Sequence, residues 1–328
     1  MKKGSIALIS VASIIVLTSI LCMVPLLHAS ETVTVTVQLL DSNGKGLSGG
    51  KVQYVENIEN SWYVFGTTGT DGTVSMQLVP STYIFEMKYA DVFSYEAQDV
   101  GANPVVTFVD DPTTVTVTVW LRDSSNNGLN GGVVEYLYGS WLSFGTTGNT
   151  GTGYVTKTVT VGLGSTYFRI GYCNALQIKS QDVSKNNIVT FQTTLVTVEL
   201  KDSTGAFITG GLGTVQYYSS GAWHDIGKTD GGQVSIELLP VSYCFSMNYA
   251  HARQEKGPLA VSGTSYTVTF QTGKVHSGTN TCTQYYAGAW RAFTQDMELL
   301  PGKYYFRFSD GTADTQYAIV ADTTNTIH

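Results

Sequence analysis

The chain repeats itself, and that repeat limits what it can fold into. A unit of about 80 residues, built from short strand-like segments, occurs three times and is followed by a shortened fourth copy. A period that long, made of strands, means a string of small domains, each burying a core of its own. The landmarks agree on the spacing: Gly49-Gly50, Gly131-Gly132 and Gly210-Gly211 recur, as do Trp62, Trp141, Trp223 and Trp290. The closing segment Val106-Thr107-Phe108 returns as Val189-Thr190-Phe191 and Val268-Thr269-Phe270. These place the units at 31–112, 113–194, 195–272 and 273–328, after an N-terminal segment 1–30. A repeated module suits reach, valency or mechanical continuity, whereas a catalytic site needs one copy.

Within a unit the period is two. Thr32 to Leu40 alternates Thr and Val almost strictly, the pattern of a half-buried strand. It ends in the turn-forming cluster Asp41-Ser42-Asn43-Gly44, matched by Asp123-Ser124-Ser125-Asn126 and Asp202-Ser203-Thr204-Gly205. A Tyr strand, a Trp strand, a Gly-Thr turn, a strand ending in Leu-Pro or Val-Pro, a Tyr-x-Phe strand and the Val-Thr-Phe strand follow. About seven strands with no helical period predict an all-β fold of tandem Ig-like β-sandwiches. Almost nothing links the units: Phe191-Gln192-Thr193-Thr194 runs straight into Leu195, and Asp110-Asp111-Pro112 separates the first two. Short connections predict a semi-rigid rod, each domain adding on the order of 30 Å. The fourth unit is about eleven residues shorter between Phe270 and Gln284 than its neighbour, lacks the Gly-Thr turn and stops at His328. It reads as a terminal cap with most of its first strand lost, or as an incomplete sandwich that accepts a strand from another chain and so supports self-association.

The first thirty residues carry Lys2-Lys3, an uncharged apolar stretch from Ile6 to about Leu27, and then Ala29-Ser30, the signature of a secretory signal peptide. The stretch nears spanning length, so contact with a membrane is expected only through this segment if it stays uncleaved. The expected location is therefore secreted, extracellular or at the cell surface. The chain is acidic, with a net charge of −7, and has no basic run, which excludes nucleic acid and anionic membrane as natural partners. Three cysteines follow the signal, Cys173, Cys244 and Cys282, at non-equivalent places in the repeat, so no disulfide framework is expected.

Candidate chemistry is sparse. His224, His251, His276 and His328 do not recur between units and sit in no catalytic motif, and no nucleophile elbow frames a serine. No enzyme activity and no cofactor are expected. The Asp turns place oxygens close together but lack a bidentate Glu at calcium-loop spacing, so they read as Asx turns and no metal site is expected. No Asn-x-Ser/Thr acceptor is present. The aromatic set is the one candidate ligand surface: Trp62, Trp141, Trp223 and Trp290, preceded by Tyr54, Tyr136, Tyr217 and Tyr285. Such rings stack on sugar faces, and repetition adds avidity for a polymer. Packing of the Trp within the sandwich or on its sheet surface is the competing reading. Parity decides direction: Trp62 and Phe65, or Trp141 and Phe144, lie three apart and point to opposite faces, so an inward Phe means an outward Trp.

Several motifs carry a family resemblance. Asp-x-x-Gly (Asp41–Gly44), Leu-x-Gly-Gly (Leu47–Gly50), Thr-x-x-Gly (Thr229–Gly232) and Leu-Pro-x-x-Tyr-x-Phe (Leu239–Phe245) together resemble prealbumin-like Ig repeats of secreted and surface proteins. That group includes the carboxypeptidase-regulatory-like and collagen-adhesin B-type domains. The resemblance covers Thr32 to about Thr272; the second unit departs from it, with Gly162-Leu163-Gly164 where the others carry Leu-Pro or Val-Pro. It implies a stalk, spacer or adhesive module, with polysaccharide or other surface proteins as partners. Intradomain Lys–Asn bonds, which some members use, are not expected, because Lys201 is the only lysine ending a first strand.

Overall fold

The computed structural model describes residues 31–328 except 149–151, 163 and 280; the N-terminal segment read as a signal lies outside the described residues. The described residues form 28 strands and no helix, in four successive groups of seven. In the third unit the seven run Thr194–Lys201, Thr214–Ser219, Ala222–Lys228, Gln233–Leu238, Ser242–Tyr249, Ala252–Ala260 and Ser265–Gln271. Every unit divides them alike: a three-stranded sheet ordered fourth-first-seventh and a four-stranded sheet ordered third-second-fifth-sixth. The first and seventh strands pair parallel and the other pairs are antiparallel. The protein is a tandem array of Ig-like, prealbumin-like β-sandwiches.

The Thr-Val alternation sorts residues by face. Val35, Val37 and Leu39 point inward with at most 2% exposure, and the intervening positions face out. There Thr36 meets Ser75 at 2.9 Å, as Thr116 meets Thr158 and Thr197 meets Ser235, cross-strand pairs that hold register on the wet side. The opposite sheet contributes Phe85, Phe168, Phe245 and Phe306, all fully buried, each worth roughly 2–3 kcal/mol of apolar transfer.

Two recurring motifs acquire a mechanical reason. The Tyr of Leu-Pro-x-x-Tyr donates its hydroxyl to the carbonyl four residues back: Tyr83 to Val79, Tyr243 to Leu239, Tyr304 to Leu300. This corner ties the crossover between the two sheets. The Gly-Thr turn supplies a buried Thr that receives a backbone N–H from the Gly-Gly loop: Gly50 to Thr68 and Gly132 to Thr147 at 2.9 Å, and Gly213 to Thr229 at 3.1 Å. A Cβ on Gly50 would sit 2.6 Å from Met87 Sδ and 2.8 Å from a Leu39 methyl, so the close approach needs glycine. In the third unit the packing glycine is Gly213, not Gly210 or Gly211, because the loop there is two residues longer.

The fourth unit also differs from expectation. It keeps all seven strands: the first, Gly273–Ser277, pairs with the last, Thr324–Ile327, and with Met297–Leu299. Most of the missing length lies in the connection between its first two strands, which has four residues between Ser277 and Cys282 where the third unit has twelve between Lys201 and Thr214. Its sandwich is therefore closed, with Val275, Phe306 and Ile327 in its core.

Candidate functional site

The outer face of each four-stranded sheet carries the tryptophan of the aromatic set. Phe65 and Phe144 are 4% and 5% exposed and point inward, so the tryptophans of their strands point outward, as parity requires. Trp62, Trp141, Trp223 and Trp290 are each half-buried on that face. The tyrosines divide differently. Tyr136, Tyr217 and Tyr285 are buried on the inward side, and Tyr54 packs against Tyr63, Phe65, Tyr83 and Phe85. The rings that accompany the outward tryptophans are instead Tyr218, beside Trp223, and Tyr286, beside Trp290.

Sequence spacing gave no sign of what covers the tryptophans. The chain has five arginines, and four of them stack on a tryptophan: Arg122 on Trp120, Arg169 on Trp141, Arg253 on Trp223 and Arg307 on Trp290, at 3.9 to 4.5 Å from the ring centroid. Arg169 and Arg307 reach over from the fifth strand of their units and Arg253 from the sixth, so the pairing follows space rather than spacing. Each outer-face guanidinium is further held by a carboxylate: Arg169 by Glu135 at 2.6 Å, Arg253 by Glu255 at 2.8 Å, Arg307 by Asp314 at 2.9 Å. A stacked Arg occupies ring area that a sugar would need.

The second unusual feature is how units meet. At the second joint, between the second and third units, the Glu237 carboxylate accepts from Ser124 Oγ and Thr193 Oγ1, both at 2.5 Å, and from Ser124 N at 3.3 Å. The third joint repeats this: Glu298 accepts from Ser203 N at 3.1 Å, from Ser203 Oγ at 2.7 Å and from Thr272 Oγ1. Each serine comes from the Asp turn, whose aspartate accepts backbone N–H groups and so fixes the loop: Asp123 from Ser125 and Asn127, Asp202 from Thr204 and Ala206. The side chains of Asn127 and Thr204 donate to the same carboxyls, and these bonds first, with the backbone ones beside them, hold Asp123 and Asp202 below the usual range. On the other side of each joint, the hairpin joining the fifth and sixth strands inserts its tip. The tips Cys173-Asn174 and Ala250-His251 have φ near +50° to +60°, a type I′ turn. Their carbonyls accept from the inward tyrosine of the next unit, Tyr217 to Cys173 and Tyr285 to Ala250. The apolar core runs on through the second joint without a break and reaches Leu300 of the fourth unit.

The first joint is built otherwise. Asp111-Pro112 adds two residues, and Thr160 stands where the later units have Glu237 and Glu298. An outer-face cluster compensates: Ile58, Tyr95, Leu137 and Tyr167 are buried together, with Trp62, Phe93 and Trp141 packed on them. Tyr95 accepts from Gly139 N at 2.7 Å. Burial pushes the Tyr95 hydroxyl well up, and burial beside it raises Glu86. In the second unit this face buries Leu137 and Tyr167 where the third exposes Tyr218, so Trp141 belongs to a joint and Trp223 does not.

Among the described residues no group of three His, Cys, Asp or Glu side chains could hold a metal. His276 lies 2.7 Å from Asp296, and His224 sits between Asn174 and the Ser219 carbonyl. Neither has a nucleophile beside it in these contacts. The three cysteines are free thiols, Cys282 buried with its thiol pushed up to about 11 by that burial. Lys201 pairs with Glu199 at 2.8 Å.

Comparison with known proteins places little weight on any one relative. No family model matches the chain, and no curated protein does. Solved structures do overlay. The TIE protein of Bacillus anthracis is 11% identical over 90% of this chain and 73% of that one, with a TM-score of 0.21. BcpA, the major pilin subunit of Bacillus cereus, is 10% identical over 73% and 98%, with a TM-score of 0.21. The major pilin SpaD of Corynebacterium diphtheriae is 10% identical over 73% and 96%, with a TM-score of 0.22. Likenesses this loose do not bear on function; the fold stands on the sheet order described above.

Proposed function

We propose that the chain is a non-enzymatic structural array, a stiff spacer with an adhesive surface, working outside the cell or on its surface. The repeated carboxylate lock carries this reading: Glu237 and Glu298 each gather donors from an Asp-turn serine and a linker threonine of the preceding unit. A site tuned for chemistry would appear once, whereas a device placed at successive joints serves geometry. The N-terminal apolar segment supports export, and the acidic surface suits solubility in a crowded exterior. Small-angle scattering of the full chain tests it. A stiff array gives one elongated profile that does not change with ionic strength, and Glu237→Ala with Glu298→Ala broadens it. A wild-type profile that already needs a broad conformational ensemble overturns the proposal.

A second reading keeps the sugar-binding role for part of the aromatic set. Tyr218 and Tyr286 are 39% and 43% exposed beside Trp223 and Trp290, so the third and fourth units offer flat aromatic surface. Pull-down on insoluble polysaccharides separates the two: retention lost on Trp223→Ala and Trp290→Ala supports it, and retention unchanged by both removes it.

A further inference from the structure

The second and third joints share one plan, which makes their differences informative. At the second joint the hydroxyls of Ser219 and Ser220 both donate to the Asn174 carbonyl at 2.6 Å and close the gap beside the hairpin tip. At the third joint Ala287 and Gly288 stand in place of the two serines and carry no hydroxyl to donate, and a crevice of about 410 Å³ opens between the units. The same comparison shows a change of charge. Aligned through strand register, Asn174 becomes His251, Leu176 becomes Arg253 and Ser242 becomes Lys303. All three basic residues line the crevice, Tyr286 forms part of its wall, and no Asp or Glu lines it. In a chain of net charge −7, a crevice with that lining stands apart from the rest of the surface.

We propose that this crevice binds an anionic glycan, a sugar chain bearing carboxylate or phosphate groups. Arg253 is pre-positioned by its stack on Trp223, by Glu255 on Nε and by Gln216 at 3.3 Å on Nη1, and its remaining N–H groups are free to meet an oxyanion. Lys303 has no ion pair among the described residues, so its ammonium is available to a ligand, and the His251 ring adds a hydrogen-bonding edge beside it. Tyr286 gives a sugar ring a face to lie on. The two units contribute together, His251 and Arg253 from one side and Lys303 with Tyr286 from the other, so the site exists only while the joint is closed. This goes beyond the spacer reading: loss of binding here would leave the stiffness of the array untouched.

Calorimetric titration of the full chain with three probes tests it: an oligogalacturonate, the matching neutral galactose oligomer, and the same galactose oligomer carrying phosphate esters. Binding of either acidic probe and not of the neutral one supports the site, and which acid binds identifies the oxyanion. Lys303→Glu, on an exposed side chain with no structural partner, should weaken that binding by about tenfold or more, and added salt should weaken it further. Ala287→Ser with Gly288→Ser, which restores the serines of the second joint, should also weaken it. The proposal falls if neither acidic probe binds, if the neutral oligomer binds as well, or if Lys303→Glu leaves the affinity unchanged.

Discussion

Replacing Glu237 with Ala removes the carboxylate at the centre of the second joint and leaves the strands on either side intact. Three donors lose their acceptor. Two are hydroxyls at 2.5 Å, and the third is the Ser124 amide at 3.3 Å, too long to count for much. A hydrogen bond to a charged group is worth about 1.5–3 kcal/mol net. The site is only partly buried, so water partly replaces the lost acceptor and the low end applies, giving about 3 kcal/mol for the two short bonds. That corresponds to a roughly hundredfold loss in the constant that couples the two units. Denaturant unfolding followed by hydrogen exchange reads it: wild-type units two and three should open together, and Glu237→Ala should let the third open separately. Glu255→Ala is the control, because that carboxylate is 55% exposed in a surface pair with Arg253 and should cost about 1 kcal/mol or less. If Glu237→Ala changes the coupling no more than Glu255→Ala does, the lock contributes nothing.

Other outcomes follow from the same contacts. Gly213→Ala forces a Cβ to within 2.7 Å of Met247 Sδ and 3.0 Å of a Leu200 methyl, and should cost about 1–3 kcal/mol in a melt of the chain. Gly211→Asn, in a left-handed turn with open space, should cost less. Tyr304→Phe removes the corner bond to Leu300 and should lower stability by about 1 kcal/mol. Burial raises the Tyr304 hydroxyl to about 12, as it does Tyr167 and Tyr172. The unfolded chain ionises these groups near 10. Their contribution is therefore full below pH 10 and is lost as pH rises from there toward 12. Absorbance titration should show exposed tyrosines ionising first and these three only with unfolding.

Much of the fold was legible because strand chemistry is local. The Thr-Val alternation, the Asp turns and the opposition of Trp62 to Phe65 each need only neighbouring residues to be read. What escaped was set by insertions and by contacts across units. Two extra residues in the third unit shift the packing role to Gly213, so the Gly210-Gly211 match misplaces it. The fourth unit looked as if it had lost a strand because its deletion is counted along the chain, whereas it falls mostly in a loop. Glu237 and Glu298 resemble any polar residue near a strand end, and only the neighbouring unit shows that they are joint residues. The arginine stacks were hidden for a similar reason: Arg253 and Arg307 reach equivalent tryptophans from different strands.

The central claim is that neighbouring sandwiches hold a fixed relation, and residual dipolar couplings measure that directly. Weakly aligned full-length protein should give couplings from units two, three and four that fit a single alignment tensor, with Glu237→Ala and Glu298→Ala splitting it. Separate tensors of different magnitude in the wild-type chain would mean that the units move independently, and would contradict the account.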